Sequence, residues 1–470
     1  MAKICGSVIP PQAYSRFTPD RWLRSFLRLP EDRWRHVDKE LLTVYEHAEA
    51  FKKCVADNPT SFCSLVPEIA ERKDINHRYV IAGLEGMVDG GFDANILWPV
   101  ASRFINAGFA KTDCHLFGKI VRFFLGKNDS YDEHILPILI DIMRQPLEKN
   151  DAAREPRTLE NSANDMLNLA INTPQGVAMK EIIHLCGRPE KRRQAYAIIS
   201  EAVPWADTAL LLLPFYDLNT EKYFDKDLCY PLMKQLLARC GAEALVTRGD
   251  IVQWCFYYER DVVADYVDRI EHDKRSHKAL AQIYYYGLTN RKSADDCRDR
   301  LERIIAADDE DTIATLVRIA LETYSTREYT AIAKEYLKRF ASDGREKVVH
   351  AFCVYCDRLP PEALDFYAGL SCSWPLHKHR EAYEQLDYIS KCIDSQPARC
   401  LEFITGQKFT ELDESMFIDE DVVKILLMIY KKLKAVEEDE LLEKAMDLFD
   451  EYVFRGNRVL ASAVDSLSER

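Results

Sequence analysis

Apolar residues recur along most of the chain with the spacing of one face of an α-helix. The stretch from Glu310 to Tyr324 shows the pattern most clearly, because its apolar positions form a single stripe with a period near 3.6 residues. The stripe consists of Ile313, Leu316, Val317, Ala320, Leu321 and Tyr324. The sequence therefore predicts an amphipathic helix here, with one buried face.

Two further stripes follow each other near the C-terminus, at residues 422–433 and 441–452. The residues between them include the acidic run Glu437–Glu440. Acidic side chains are favourable in the first turn of a helix, so the run suits the start of the second helix. Two amphipathic helices separated by so short a break must fold back on each other, and the pattern predicts an antiparallel hairpin. The apolar positions are Val422, Ile425, Leu426, Ile429, Tyr430 and Leu433, then Leu441, Leu442, Ala445, Leu448, Phe449 and Tyr452.

Helix start signals occur at intervals along the whole chain. Thr18-Pro19-Asp20 places a capping hydroxyl before a proline at the first helical position. Asn58-Pro59, Thr173-Pro174 and Leu359-Pro360-Pro361-Glu362 mark further breaks and restarts. The signals give a helix about every 18–20 residues, or a hairpin of roughly 40, which is the period of HEAT-like arrays.

The predicted fold is therefore all-α, a HEAT/TPR-like α-solenoid of antiparallel helix hairpins with degenerate repeats. The units do not align well with one another, and an irregular helical domain or two packed bundles are the alternatives. Residues 146–161 are polar, contain two prolines and break the rhythm. The predicted organisation is an N-terminal helical lobe (1–146), a polar loop or hinge (147–161) and a C-terminal helical-repeat array (162–470). A weaker boundary is predicted at Cys372–Lys378.

The composition of the chain supports an all-α fold and excludes some classes of function. The chain has 470 residues and only 17 glycines, too few for the frequent tight turns of an all-β fold. It has no membrane-spanning apolar run and no long apolar segment at its start, so a cytoplasmic protein is expected, with its 14 cysteines reduced. A net charge of −14 argues against general nucleic-acid binding and favours a protein partner.

The chain lacks the common catalytic signatures, including the phosphate-binding loop, the nucleophile elbow and the dinucleotide fingerprint. We therefore expect neither catalysis nor a cofactor. Cys353-x-x-Cys356, with Cys372 and His377 further on, has ligand types that suit zinc. However, both Cys353 and Cys356 continue a helical apolar stripe, and this favours an ordinary place in the core.

Aromatic and arginine residues are the candidates for a protein interface. Consecutive aromatic residues on a helix point about 100° apart and cannot all face one core. Some of them are therefore expected at helix seams or on the surface, where aromatic side chains often anchor interfaces. Packing between repeats, and for the arginines a solvated terminal helix, are the alternatives. The candidates are Trp254, Tyr257, Tyr258, Tyr284 and Tyr285, together with Arg21, Arg24 and Arg28 on one face of the first helix.

The order of several short motifs resembles the long C-terminal helical-repeat region of bacterial STAND-type ATPases, in particular those of the antiviral (Avs-like) class. The resemblance covers nearly the whole chain. Its motifs are Phe17-Thr18-Pro19-Asp20-Arg21-Trp22-Leu23-Arg24-Ser25-Phe26, Ala48-x-x-Phe51-x-x-x-Val55, Asn58-Pro59-x-x-Phe62, Tyr79-x-x-x-Gly83-Leu84, Asn161-x-x-Asn164, Asn172–Ala178, Leu442-x-x-Ala445–Asp450 and a closing Asp465 and Arg470.

This resemblance implies a sensor that binds a phage structural or packaging protein and so activates upstream ATPase and effector domains. Those domains are not in this sequence, which is then expected to be either a fragment or a stand-alone sensor. A housekeeping HEAT-like scaffold and a zinc-binding helical protein are the competing hypotheses.

Overall fold

A computed structural model of the protein describes residues 11–31, 33–34, 41–147, 158–371, 379–407, 409 and 416–454. The predicted all-α fold of tandem helix hairpins is confirmed. Beside the helices, the described residues contain one short antiparallel pair of strands, β1 (Arg33–Trp34) and β2 (Leu41–Leu42), in which Arg33 lies opposite Leu42.

The chain forms two compact units, Met1–Cys255 with Glu259–Val267, and Phe256–Tyr258 with Asp268–Arg470. The helices of the first unit are α1 (Pro11–Tyr14), α2 (Pro19–Arg28), α3 (Val44–Asp57), α4 (Pro59–Phe62), α5 (Leu65–Glu71), α6 (His77–Asp89), α7 (Ala94–Ala101), α8 (Ala107–Thr112), α9 (Cys114–Phe124), α10 (Asp129–Arg144), α11 (Leu159–Ile171), α12 (Pro174–Leu185), α13 (Arg192–Ala202), α14 (Thr208–Asp217), α15 (Lys226–Arg239) and α16 (Glu243–Thr247).

The division between the units falls within two helices, α17 (Gly249–Tyr258) and α18 (Ala264–Ile270). The second unit continues with α19 (His277–Gly287), α20 (Ala294–Ile305), α21 (Glu310–Thr323), α22 (Thr330–Phe340), α23 (Glu346–Val354), α24 (Leu364–Ser371), α25 (His379–Cys392), α26 (Pro397–Gln407), α27 (Met416–Ala435) and α28 (Asp439–Phe454). Single 3₁₀ turns lie at Arg260–Val262, Lys274–Ser276, Cys356–Arg358 and Pro361–Ala363.

The division differs from the predicted one. The structure divides near residues 256–268, whereas the sequence predicted a boundary at 147–161. Helix α10 precedes the polar segment and α12 follows it after α11; α10 and α12 pack against each other in the first unit, so the chain on both sides of that segment shares one core. Residues 148–157 lie outside the described residues, as does the weaker predicted boundary at 372–378, and helix α11 begins at Leu159.

The predicted helix starts are confirmed where the chain carries a cap followed by proline. The Thr18 hydroxyl accepts the Arg21 backbone N–H, and the Thr173 hydroxyl accepts that of Gly176. In both cases proline occupies the first turn, where its missing N–H costs nothing. The predicted helix at Glu310–Tyr324 is α21, and its six stripe residues are buried.

Alternate helices of the second unit form layers, because α19, α21, α23, α25 and α27 pack successively on one another. Ion pairs join equivalent places of neighbouring repeats. Arg298 pairs with Glu335, and Arg339 with Glu302, each across 37 residues of sequence. The repeat length of this stretch is therefore close to the predicted period.

The first unit has the same arrangement with shorter repeats. Helix α3 packs on α6, α6 on α9, α9 on α12 and α12 on α14. Lys52 and Lys119 both bind the Glu85 carboxylate, across 33 and 34 residues of sequence. In the described part of the chain, none of the helices combines the length and apolarity that a membrane span requires.

Candidate binding groove

The arginine candidates lie on the surface of α2. Arg21, Arg24 and Arg28 are exposed on the side opposite the buried Trp22 and Phe26. Arg21 lies over the Phe17 ring at 4.4 Å, and the Arg24 Nε donates to the Asp20 carbonyl at 3.3 Å. These local contacts leave the arginine face of α2 open to solvent. Both interpretations of this helix, a protein interface and a solvated terminal helix, require such a face.

The aromatic candidates divide into surface and core residues. Trp254 is 46% exposed and Tyr258 is 64% exposed. Tyr257 is half-buried, and its hydroxyl donates to the Ile283 carbonyl. The exposed Trp254 and Tyr258 stay candidates for contact with a partner.

Tyr284 and Tyr285 are fully buried, so the prediction that they anchor an interface is wrong for this structure. Their helix, α19, packs against both α20 and α21, and two neighbouring side chains can therefore both enter the core. The Tyr284 hydroxyl lies 3.1 Å from a Glu271 carboxylate oxygen, and the Tyr285 hydroxyl lies 3.0 Å from that of Thr323. Both tyrosines pack between helices, which is the alternative that the sequence predicted for these residues.

The zinc candidates Cys353 and Cys356 lie in the core of the second unit. Both are fully buried, and burial raises the pKa of each thiol. The Cys356 Sγ donates to the Cys353 carbonyl at 3.0 Å, while the Gln385 amide lies 3.3 Å from the Cys353 Sγ. Cys372 and His377 lie outside the described residues, within which no three His, Cys, Asp or Glu side chains are placed to hold a metal ion.

One cavity of the first unit is a groove that the sequence did not predict. It has a volume of about 430 Å³ and lies between α11, α12, α14 and α16. We call it the α11 groove. Its lining residues are Glu160, Ala163, Asn164, Leu167, Asn168, Ile171, Lys180, Leu213, Tyr216, Asp217, Val246 and Thr247.

One wall of the α11 groove is a single face of α11. Glu160, Asn164, Leu167, Asn168 and Ile171 follow one another at helical spacing and all line the cavity. Asn164 and Asn168 are exposed. Each carboxamide offers donors and an acceptor, which is what the N–H and C=O groups of a peptide backbone require.

The opposite wall carries charge. Lys180 of α12 and Asp217 of α14 are both half-buried, and Tyr216 beside them is 47% exposed. Burial raises the pKa of Asp217, and the nearby side chains of Lys180, His184 and Arg248 only partly oppose this shift. Among the described residues no hydrogen bond to the Asp217 carboxylate is found, so its oxygens can accept bonds from a ligand.

A close approach of two helices sets the position of the α11 wall. Gly176 lies in the first turn of α12, and a Cβ at this position would lie 1.5 Å from the Ala170 carbonyl oxygen. Only glycine allows α11 and α12 to meet there. The Ser162 hydroxyl also donates to Glu243 of α16 at 3.1 Å, so both sides of α11 are fixed.

The lining of the α11 groove has the residue types of a ligand-binding site. Its residues supply amides, one cation, carboxylates, an aromatic ring and aliphatic side chains, the usual combination in a binding site. The described residues that line it include no cysteine or histidine that could serve as a nucleophile or general base. Such a groove has room for an extended polar segment.

Asn161, Asn164 and Asn172 belong to the short motifs described above, and the sequence pattern alone assigns them no role. With Asn168 they lie at positions i, i+3, i+7 and i+11 of α11 and its C-cap. Asn164 and Asn168 of this polar stripe line the groove, and the stripe is the local signal that could indicate it. The predicted loop includes Asn161, so the sequence pattern does not connect this residue to the helix that follows.

Comparison with known proteins gives only a distant structural match. No family model matches the chain, and no curated protein matches it. A solved structure that is similar to it is a circular tandem repeat protein with novel repeat topology and enhanced subunit contact surfaces. The two are 11% identical, the match covers 90% of this chain and 97% of the other, and the TM-score is 0.17.

Proposed function

We propose that the protein is a non-catalytic scaffold that recognises another protein, and that the α11 groove holds an extended segment of that partner. The observation that carries the proposal is the α11 wall, where Asn164 and Asn168 present amides beside Leu167 and Ile171. Amides bind a peptide backbone whatever its sequence, while the apolar side chains and the Lys180–Asp217 wall select among side chains.

We further propose that the scaffold acts as a sensor in bacterial antiviral defence and that its partner is a phage structural or packaging protein. The resemblance of the motifs between Phe17 and Asp450 to STAND-type sensor regions supports this direction. Tandem helical repeats suit the task, because recognition needs a broad surface more than a deep pocket. Neither a cofactor nor nucleic acid takes part, and the protein acts in the cytoplasm.

The α11 groove is tested with a double variant and a matched control on the same helix. Purified chain is titrated with purified phage capsid, portal and terminase proteins, and binding is measured by biolayer interferometry. Asn164→Ala/Asn168→Ala removes two amides from the groove, whereas Asn161→Ala removes an exposed amide that does not line it. We expect binding about tenfold weaker or more for the double variant, and unchanged for the control.

The outcomes separate the hypotheses. If the double variant and the control bind equally well, the groove is not the recognition site. If the chain binds no phage protein but does bind a subunit of a host complex through the groove, the housekeeping scaffold replaces the sensor. Limited proteolysis with and without the bound phage protein then tests sensing, because a switch requires protection to change beyond the contact surface.

A further inference from the structure

A second cavity of the first unit lies on the next turns of α12, beyond Lys180. It has a volume of about 160 Å³. We call it the α12 pocket. Its walls are formed by α9, α12, the segment after α12 and the residues before α15, and its lining residues are Arg122, Leu125, Glu181, His184, Leu185, Gly187, Arg188 and Lys222.

The α12 pocket is rich in cations, whereas the chain as a whole carries a net charge of −14. Arg122, Arg188 and Lys222 line it, and Glu181 is the one acidic residue in its lining. His184 lies beside Glu181, with its Nδ1 3.4 Å from a carboxylate oxygen. The cations therefore exceed the carboxylates in the pocket.

The negative charge of Glu181 is already balanced by Arg122 within the protein. Its side chain is almost completely buried and accepts two hydrogen bonds from Arg122, at 2.9 Å to Nε and 2.6 Å to Nη2. A paired arrangement of this kind satisfies both groups. No ion pair is found for Arg188 or Lys222 among the described residues, so their charges stay available to a ligand.

Two glycines give these two cations room at the pocket. Gly126 has a φ of +76°, and a Cβ there would lie 2.6 Å from the Arg188 Cδ. A Cβ on Gly187 would lie 3.0 Å from the Lys222 Cε. A larger residue at either position would make these flexible side chains move aside, so the two glycines leave them their present places at the pocket.

Lys127 gives a second sign that the positive charge is concentrated here. Its pKa lies below its usual range, mainly because of burial and also because Arg188 repels its charged form, while Asp93 partly opposes the shift. The Lys127 Nζ lies 3.4 Å from the centre of the Phe123 ring. An anion placed near Arg188 would relieve this repulsion.

We propose that the α12 pocket binds a phosphate-sized dianion, specifically the phosphoryl group of a phosphomonoester. Guanidinium groups match the geometry of phosphate oxygens, and a lysine adds a mobile point charge. Arg188 and Lys222 are the ligands, while Arg122 contributes the face that Glu181 leaves free. The site does not depend on the α11 groove or on a protein partner.

The test is isothermal titration calorimetry of the full chain with sodium phosphate, at constant ionic strength in a chloride buffer. We expect saturable binding to the wild type, and binding about tenfold weaker or more in Arg188→Gln and in Lys222→Gln. Arg188→Lys should fall between the wild type and Arg188→Gln, because it keeps the charge but loses the fork geometry. Lys53→Gln, which removes an exposed lysine from α3, should bind as the wild type does.

Parallel titrations with O-phosphoserine and with adenosine monophosphate identify the source of the phosphoryl group. Tighter binding of phosphoserine than of phosphate indicates a phosphorylated protein, and tighter binding of the nucleotide indicates a nucleotide. Either result supports the site. No saturable heat with any of the three probes overturns it, as does equal loss of binding in Lys53→Gln. Melting curves of each variant show that it is folded.

Discussion

At the scale of single residues, the first unit contains a histidine that the fold keeps neutral. His47 is 3% exposed and lies among the rings of Tyr14, Trp22 and Phe26, with its Nδ1 3.1 Å from the Tyr79 hydroxyl. Burial lowers its pKa to about 4. Unfolding exposes the ring, and its pKa then returns to about 6.5.

This difference predicts a loss of stability in acid. Well above pH 6.5, His47 is neutral in both the folded and the unfolded state. Its burial then makes its full contribution to the free energy of unfolding. As the pH falls from 6.5 towards 4, only the unfolded state takes up the proton, and the folded state loses on the order of 2 kcal/mol by pH 4.5. Urea denaturation of His47→Gln should show a smaller loss between pH 7 and pH 4.5. His115→Gln, at an exposed position, should lose as much as the wild type.

Asp217 in the α11 groove predicts a change of stability with pH that is opposite to that of His47. Burial raises its pKa in the folded state, so the charged carboxylate is less stable there than in the unfolded chain. Asp217→Asn should therefore raise the melting temperature at pH 7. The advantage should shrink on acidification and disappear below about pH 3.9, where both states are protonated. Asp141→Asn, on the exposed side of α10, serves as the control, and an equal gain there would contradict the argument.

At the scale of elements, the contact between α11 and α12 depends on one glycine. Gly176→Ala would place a methyl group against the Ala170 carbonyl, and the helices would have to separate. We expect a loss of about 2 kcal/mol or more in the free energy of unfolding, measured by urea denaturation. Gly249→Ala, where a Cβ meets nothing within 4 Å, should cost little or add up to about 1 kcal/mol. Equal effects would show that the close approach is not required.

A second element-scale prediction concerns the ion-pair network around α20. Arg300 pairs with Asp268 at 2.7 Å and with Glu271 at 2.6 Å, and both Arg300 and Glu271 are largely buried. Arg300→Ala leaves the Glu271 carboxylate with less compensation, and we expect a loss of about 2–4 kcal/mol in urea denaturation. Arg318→Ala breaks a half-exposed pair with Glu322 one turn away, and should cost less than about 0.5 kcal/mol.

These elements also show why the sequence predicted the fold but not the sites. Caps such as Thr173 and stripes such as that of α21 are local, so a short window of sequence contains them. The α11 groove joins Asn164 to Asp217, and the α12 pocket joins Arg122 to Lys222, from distant parts of the chain. A polar residue facing such a cavity has the same local pattern as one facing water. The burial of Tyr284 and Tyr285 likewise depends on α19 packing on two helices.

At the scale of the whole molecule, stability should be divided along the chain, because each repeat in the described residues packs mainly on its neighbours. In the second unit α19 packs on α21, α21 on α23, α23 on α25 and α25 on α27. In such an array, folding free energy is close to a sum of repeat and neighbour terms. Unfolding of the full chain then need not be a single transition, and each free energy of unfolding given above refers to the transition of the repeats around the substituted residue.

Hydrogen exchange of the Arg300→Ala variant tests this directly. The lost ion pairs belong to α20 and its neighbours, so exchange should accelerate strongly in α19–α21 and progressively less towards α25–α28. Arg318→Ala, measured in parallel, should leave all of these helices near the wild-type rates. If Arg300→Ala accelerates α27 and α28 as much as α19, the second unit unfolds as one cooperative body. The repeats would then be coupled more strongly than contacts between neighbours can explain.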